Sequence, residues 1–178
     1  WHKYIISSDR DFFQLVGDRT SLYRPIQKKL VTQADLLDEY GIHPNNFALA
    51  RAVAGDKSDN LEGVPRVGLG TIKSRFSFMA GEDVQTVETL AEHCGKVDKQ
   101  LSCHRKILEH LDVVEKNYEI MQLYEPQISG VNRRSIHYIV ENFEPEFNKL
   151  AFTKLLMEDG QITMKLENLY IAIKKIIS

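Results

Sequence analysis

Apolar residues are distributed along this chain in two ways. Up to about residue 32 they come in short β-rich runs cut by polar turns; beyond it they recur three and four residues apart. Tyr4-Ile5-Ile6-Ser7-Ser8 predicts a buried strand: short, apolar, then abruptly polar. Phe12, Phe13, Leu15 and Val16 predict a short helix over 11–16 that packs on it, ended by Gly17-Asp18. Ser21–Tyr23 and Lys29–Val31 flank Pro25 and predict a β-hairpin. Thr32-Gln33-Ala34-Asp35 has the form of a capping box with Asp in place of Glu, and opens a helix that runs to about Tyr40 and stops at Gly41. His43-Pro44 starts the next helix, with Pro in the first turn, where its missing N–H costs nothing. Phe47, Ala50 and Ala54 share a face of that helix, and Gly55 ends it.

From Gly55 to Thr71 the apolar pattern gives way to glycines and charges. Gly63, Gly68 and Gly70 predict a hairpin in which backbone approaches backbone, and residues 71–76 predict a helix opened by it. After Gly81 the pattern is helical. Val84, Val87, Leu90, Ala91 and Cys94 form one stripe, ended by Gly95. Leu101, Leu108, Leu111, Val114, Tyr118 and Met121 form a second, broken by Pro126 and Ser129-Gly130. Shorter stripes follow: Ile136, Ile139, Val140 and Phe143; then Phe147, Leu150, Ala151 and Leu155, ended near Gly160; then Leu166, Leu169, Ile173 and Ile176. Such stripes are expected to be core. The expected fold is an α/β start, a short parallel strand plus a β-hairpin, followed by a mostly α-helical domain. Its divisions are 1–32, 33–80 and 81–178.

Composition narrows the function classes. The 178 residues are 43% hydrophobic and 27% charged, ordinary for a soluble globular protein. No apolar run is long enough to span a membrane, and no signal peptide opens the chain, so no membrane partner is expected. The net charge of −2 excludes a globally basic nucleic-acid binder and leaves room only for a local basic patch. Two cysteines, Cys94 and Cys103, make no disulfide framework, and an intracellular, cytoplasmic setting is expected. His93-Cys94 and Cys103-His104 resemble halves of a zinc site, but Cys94 completes an apolar stripe and the spacing fits no common finger.

The charges carry the chemistry. Asp9 and Asp11 stand just past the first predicted strand, where open α/β sheets place functional groups. Asp9 as a helix cap explains one of the pair but not both. Asp56 and Asp59 share the turn that follows Gly55. Carboxylates so crowded suit a hard divalent ion bound through oxygen. The adjacent glycine hairpin, with N–H groups at a helix start, suits a phosphate. Lys57, Arg66, Lys73 and Arg75 cluster around it as the candidate basic patch. Each alone reads as a solvated charge; their grouping beside the hairpin does not.

These residues carry a family resemblance. Ser7-Ser8-Asp9-Arg10-Asp11-Phe12-Phe13-Gln14-Leu15-Val16 resembles the second acidic motif of the 5′-nuclease superfamily: flap endonucleases, the 5′→3′ exonuclease domains of bacterial DNA polymerase I, and phage 5′-nucleases, including the phage enzyme called ribonuclease H. Gly55–Asn60 resembles the family's Gly-Asp-x-x-Asp-Asn. Gly63–Thr71 resembles its Gly-Val-x-Gly-Ile-Gly-x-Lys-Thr hairpin, part of a helix–three-turn–helix (helix–hairpin–helix) element. The resemblance is strong from Tyr4 to Phe76. Beyond that it is a helical pattern most like the phage members, which extends the expected setting to a phage-encoded protein in a bacterial host.

The resemblance implies metal-dependent hydrolysis of DNA phosphodiesters, with Mg²⁺ or Mn²⁺ held by Asp9, Asp11, Asp56 and Asp59 as catalytic ligands. It implies that Gly63, Val64, Val67, Gly68, Gly70 and Thr71 grip duplex phosphates, and that K⁺ can sit on the hairpin carbonyls. The implied partners are flap, nicked or primer-bearing duplexes, and replication-fork proteins. Arg66 stands where Gly is usual, and Leu69-Gly70 where a variable residue and Lys are common. Family members also carry an N-terminal half with further metal ligands and a helical arch. That half is not in this sequence, so an N-terminal nuclease half is an expected partner. The competing expectation is a non-catalytic helix–hairpin–helix DNA-binding module, against which the four Asp argue. An ordinary helical domain ranks last, because it leaves the coincidence of two motifs unexplained.

Overall fold

A computed structural model describes residues 1–124, 128–144, 146–160 and 166–177. They fall into two compact units, residues 1–126 and residues 127–178.

The first unit opens with a three-stranded sheet in the order β1-β2-β3. β1 (Lys3–Ile6) runs parallel to β2 (Thr20–Arg24), with Lys3 opposite Thr20 and Ile6 opposite Tyr23. β2 turns back into β3 (Lys29–Val31), with Leu22 opposite Val31. A 3₁₀ turn over Asp11–Leu15, not an α-helix, crosses from β1 to β2 and buries Phe13 and Gln14. The expected strand is present but not buried: Tyr4 and Ile6 are 62% and 72% exposed. Ile5 packs against the core, and Tyr4 and Ile6, alternating with it, share the opposite face of the strand, which is uncovered.

α1 (Gln33–Tyr40) begins at the expected capping box. Thr32 Oγ1 accepts from the Asp35 N–H, and an Asp35 carboxylate oxygen accepts from the Thr32 N–H at 2.8 Å. It ends at Gly41, whose φ of 63° is the left-handed cap that glycine permits. A 3₁₀ turn over Pro44–Asn46 leads into α2 (Phe47–Ala54), which is buried on every side and packs against α6 (Leu111–Met121). Gly55 ends α2 with φ 75°. A minimal ladder of β4 (Gly55–Asp56) and β5 (Leu61–Glu62) frames the acidic turn. Then come α3 (Leu69–Arg75), α4 (Val87–Lys96) and α5 (Ser102–Glu109).

Several boundaries differ from the pattern, α3 starting two residues ahead of the expected Thr71 and α2 three residues after Pro44. Val84 precedes α4 and is exposed, because the Thr86–Thr89 capping box starts the helix at Val87. Gly95 lies within the last turn of α4. The stripe over 101–121 is two helices, because His110, at φ −128°, leaves helical geometry between α5 and α6. One apolar cluster, including Phe13, Leu22, Leu36, Phe47, Ile72, Leu90 and Val114, joins the sheet to these helices.

The second unit holds α7 (Gly130–Asn142), α8 (Lys149–Glu158) and α9 (Leu166–Ile177), the first two capped by Ser129 and Asn148. Its apolar stripes are not the expected core: Ile136, Ile139, Val140, Phe143, Leu150 and Leu155 are exposed. Phe147, Phe152 and Tyr170 pack ring against ring, with the Tyr170 hydroxyl 2.6 Å from Thr153 Oγ1. This cluster joins the start of α8 to α9 and takes no ring from α7, and most apolar positions of the three short helices stay uncovered. Pro126, an expected break, lies outside the described residues. Among the described residues no helix is long and apolar enough to cross a membrane.

Candidate metal centre and hairpin

Both acidic pairs sit on turns that their own side chains shape. After β1, Ser7 Oγ accepts from the Asp9 N–H at 3.1 Å, and Asp9 Oδ1 accepts from the Asp11 N–H at 2.9 Å. Asp9 thus closes a local turn of its own, but it is not the helix cap of the alternative reading: the cap position of the 3₁₀ turn is Arg10, with no side-chain cap bond. In the β4–β5 turn, Asp56 Oδ1 accepts from both the backbone N–H and the hydroxyl of Ser58. Asn60 closes this turn at φ 56°, a left-handed angle that Asn tolerates. Asp9 and Asp59 are exposed, whereas Asp11 and Asp56 are half-buried.

What joins the two turns is Arg51, on the last turn of α2. Its Nη2 lies 2.9 Å from Asp11 Oδ1 and also donates to Asp56 Oδ2. Arg51 is only 7% exposed. Burial raises the Asp11 carboxyl above its ordinary value. The Arg51 charge opposes that, but Asp9, Asp59 and Asp56 all reinforce it, and the result stays raised. All four carboxylates are thus felt at one point. Asp56 ends differently: partial burial works against its ionisation, but the Ser58 hydrogen bonds and Arg51 together outweigh it, and its pKa is lowered. Among the described residues, no three His, Cys, Asp or Glu side chains stand close enough to hold a metal ion as they are placed. The donor set nevertheless fits a hard divalent ion. It consists of carboxylate oxygens, two of which already share a cation, and Mg²⁺ takes one or two carboxylates and completes its shell with water and phosphate.

Asp11 is held from behind by Gln14, which is fully buried. Its Nε2 donates to the carbonyls of Asp11 and Met121, each at 2.9 Å, and its Oε1 accepts from the Leu123 N–H at 2.8 Å.

The hairpin is held by packing. Val64 and Val67 are buried, and the Val64 N–H donates to the Val53 carbonyl at 2.8 Å. Gly55 and Gly63 touch backbone to backbone; a Cβ on Gly63 would stand 2.3 Å from the Ala54 carbonyl carbon. Gly68 and Gly70 are exposed, with open space where a Cβ would be. Thr71 is half-buried, its N–H donating to the Gly68 carbonyl. Arg66, at φ 63°, occupies a left-handed position that favours glycine, the residue usual there in the family.

The expected basic patch is only partly assembled. Lys57, Arg66 and Arg75 are exposed. Lys73 is turned away: its Nζ donates to the Asp38 and Glu39 carbonyls at the end of α1. Lys106 on α5 instead reaches the hairpin, its Nζ 3.1 Å from the Pro65 carbonyl oxygen. Arg51, Gln14 and Lys106 were not singled out by sequence. Arg51 carried a faint signal, a lone charge in an alanine-rich helix. Lys106 carried none.

The His/Cys pairs are packing residues. His93 packs at a tilt against Phe76 and Phe78, and His104 packs edge-on against Phe76 and His93; burial, with Cys103 nearby, pushes the Cys94 thiol up to about 11.

No protein-family model matches the chain. It is 31% identical over 161 residues to the thermostable DNA polymerase I of Thermus filiformis, covering 88% of this chain and 18% of that protein. It is 30% identical over 142 residues to a 5′-3′ exonuclease of Halalkalibacterium halodurans, covering 78% of this chain and 45% of that one. The chain belongs to the 5′-nuclease superfamily. Among solved structures, a bacteriophage T5 flap endonuclease with DNA and metal ions shares the fold. Its TM-score is 0.54 at 16% identity, over 67% of this chain and 42% of that one. This 5′-nuclease-family chain thus spans less than half the length of the relatives it matches.

Proposed function

We propose that this chain is the C-terminal part of a metal-dependent, structure-specific 5′→3′ exonuclease or flap endonuclease. It hydrolyses phosphodiesters in flap, nicked or primer-bearing duplexes during replication or repair. The observation that carries this reading is the meeting of two acidic turns, far apart in sequence, at Arg51 beside the glycine hairpin. Asp11 and Asp56 are the inner ligands for Mg²⁺ or Mn²⁺, with Asp9 and Asp59 outside them. These residues would hold a divalent ion, which when bound would supply water activation and stabilisation of the leaving oxygen. The T5 relative's complex with DNA and metal ions supports both ligands.

By role we divide the chain into 1–32, the end of the nuclease core; 33–80, the acidic turn and the DNA-binding element; and 81–178, a helical region. α2, the hairpin and α3 form the helix–hairpin–helix. Gly68 and Gly70 let a phosphate approach the backbone, and Lys57, Arg66, Arg75 and Lys106 supply local positive charge. The grip is on phosphates and reads no sequence. The hairpin carbonyls are the proposed K⁺ site. Further metal ligands come from the portion of the relatives that this chain does not span.

The test is cleavage of a 5′-flap duplex with Mg²⁺ or Mn²⁺, by the chain alone and mixed with the unmatched part of the Halalkalibacterium relative. Metal-dependent cleavage in the mixture, lost in Asp11→Asn, is expected. Cleavage indifferent to Asp11→Asn would sink the site assignment. The second reading, a non-catalytic DNA-binding module, draws on the neutralisation of Asp11 and Asp56 by Arg51, which leaves a folded turn without metal. It predicts salt-sensitive DNA binding that Mg²⁺ does not alter.

A further inference from the structure

We propose that Arg51 is a resident counter-ion for the acidic site, and that a divalent metal binds by displacing it from Asp11 and Asp56. The inference rests on the metal-site reading above and adds how that site exists without metal. Two half-buried carboxylates brought together across a fold repel each other unless a cation lies between them. Arg51 is that cation: one Nη donates to both, from a side chain almost wholly inside the protein.

The arrangement is not one that a permanent clamp would adopt. A guanidinium holds a carboxylate best through two parallel bonds. Here a single nitrogen serves two carboxylates, and Arg51 Nε is buried with no hydrogen-bond partner among the described residues. Nor is the compensation complete, since Asp9 and Asp59 add to the negative potential around Asp11. One buried monovalent cation among four carboxylates keeps the turns folded and still leaves a net attraction for a divalent ion. Arg51 and the ion compete for the same two oxygens, Asp11 Oδ1 and Asp56 Oδ2. Exchange frees the guanidinium to turn while Ser58 continues to hold the other Asp56 oxygen.

The test compares wild type, Arg51→Gln and Arg51→Lys by Mn²⁺ titration calorimetry and by thermal unfolding in EDTA and in saturating Mn²⁺. Removing the competitor is expected to tighten Mn²⁺ binding on the order of tenfold. It is also expected to lower the unfolding midpoint in EDTA, with Mn²⁺ restoring it to the wild-type value. Arg51→Lys, which keeps the charge without the fork, should fall between. Unchanged or weaker Mn²⁺ binding by Arg51→Gln, with wild type binding normally, overturns the exchange and makes Arg51 a structural clamp. Absence of Mn²⁺ binding by wild type overturns the metal site itself, and the exchange with it. If Arg51→Gln does not fold in EDTA, refolding on addition of Mn²⁺ supports the proposal and failure to refold overturns it.

Discussion

The acidic turn and the glycine hairpin are neighbours in sequence, yet they are held by opposite kinds of force. The turn over 56–60 is exposed except at Asp56 and is anchored by charge, through Arg51 and the Ser58 hydrogen bonds. The hairpin is anchored by shape: Val64 and Val67 are buried, and Gly63 lies against the backbone of Ala54 and Gly55. Charge anchoring leaves carboxylates in excess, which costs stability and suits a site that waits for a cation. Packing offers no such latitude, and suits a surface that must keep one shape.

If that contrast holds, the largest loss should come from the packed side. Gly63→Ala drives a Cβ into backbone that cannot move aside. We expect it to lower stability by about 3 kcal/mol or more, measured by urea unfolding. A loss under about 1 kcal/mol would mean that the hairpin can shift and is not shape-held. Next is Asn117 on α6, whose Nδ2 donates to the Ala52 and Glu62 carbonyls and ties the ends of the helix and of the acidic ladder together. Asn117→Ala should cost about 2 kcal/mol, because two carbonyls lose a buried donor.

Smaller effects should carry opposite signs for stability and function. Arg66→Gly relieves a left-handed residue and is expected to stabilise by about 0.5 kcal/mol, the relief being partly offset by the freer unfolded chain. The same change should weaken duplex binding and reduce its salt dependence by about one phosphate contact. Smallest is Asp11→Asn without metal. The folded state holds the Asp11 proton more tightly than the unfolded chain, so its ionisation on raising the pH costs stability. Asn mimics the protonated form. Its gain, about 0.5 kcal/mol or less after solvent screening, should appear above the raised pKa and vanish below the ordinary value near about 3.9. Hairpin variants should show no such pH dependence.

Much of this arrangement was legible in the sequence. The Thr32–Asp35 box, the Gly41 and Gly55 stops, the β2–β3 hairpin and the two acidic pairs all lie where short-range pattern puts them. Other expectations failed for a common reason. β1 has the composition of a buried strand, but exposure depends on what lies beside it. The stripe over 101–121 conceals the break at His110 because apolar spacing continues through it. Lys73 has the look of a patch residue, and only the end of α1, packed nearby, takes it away.

By itself the sequence determined where α1 starts, where α1 and α2 stop, which residues form the hairpin, and which carboxylates come in pairs. Each follows from dihedral preference or from bonds between residues three or four apart. Only the tertiary structure decided that Asp11 and Asp56 share one cation, that this cation is Arg51, and that Lys106 rather than Lys73 reaches the hairpin. Those pairings join residues distant along the chain. A charge leaves no periodic trace of a partner it meets through space.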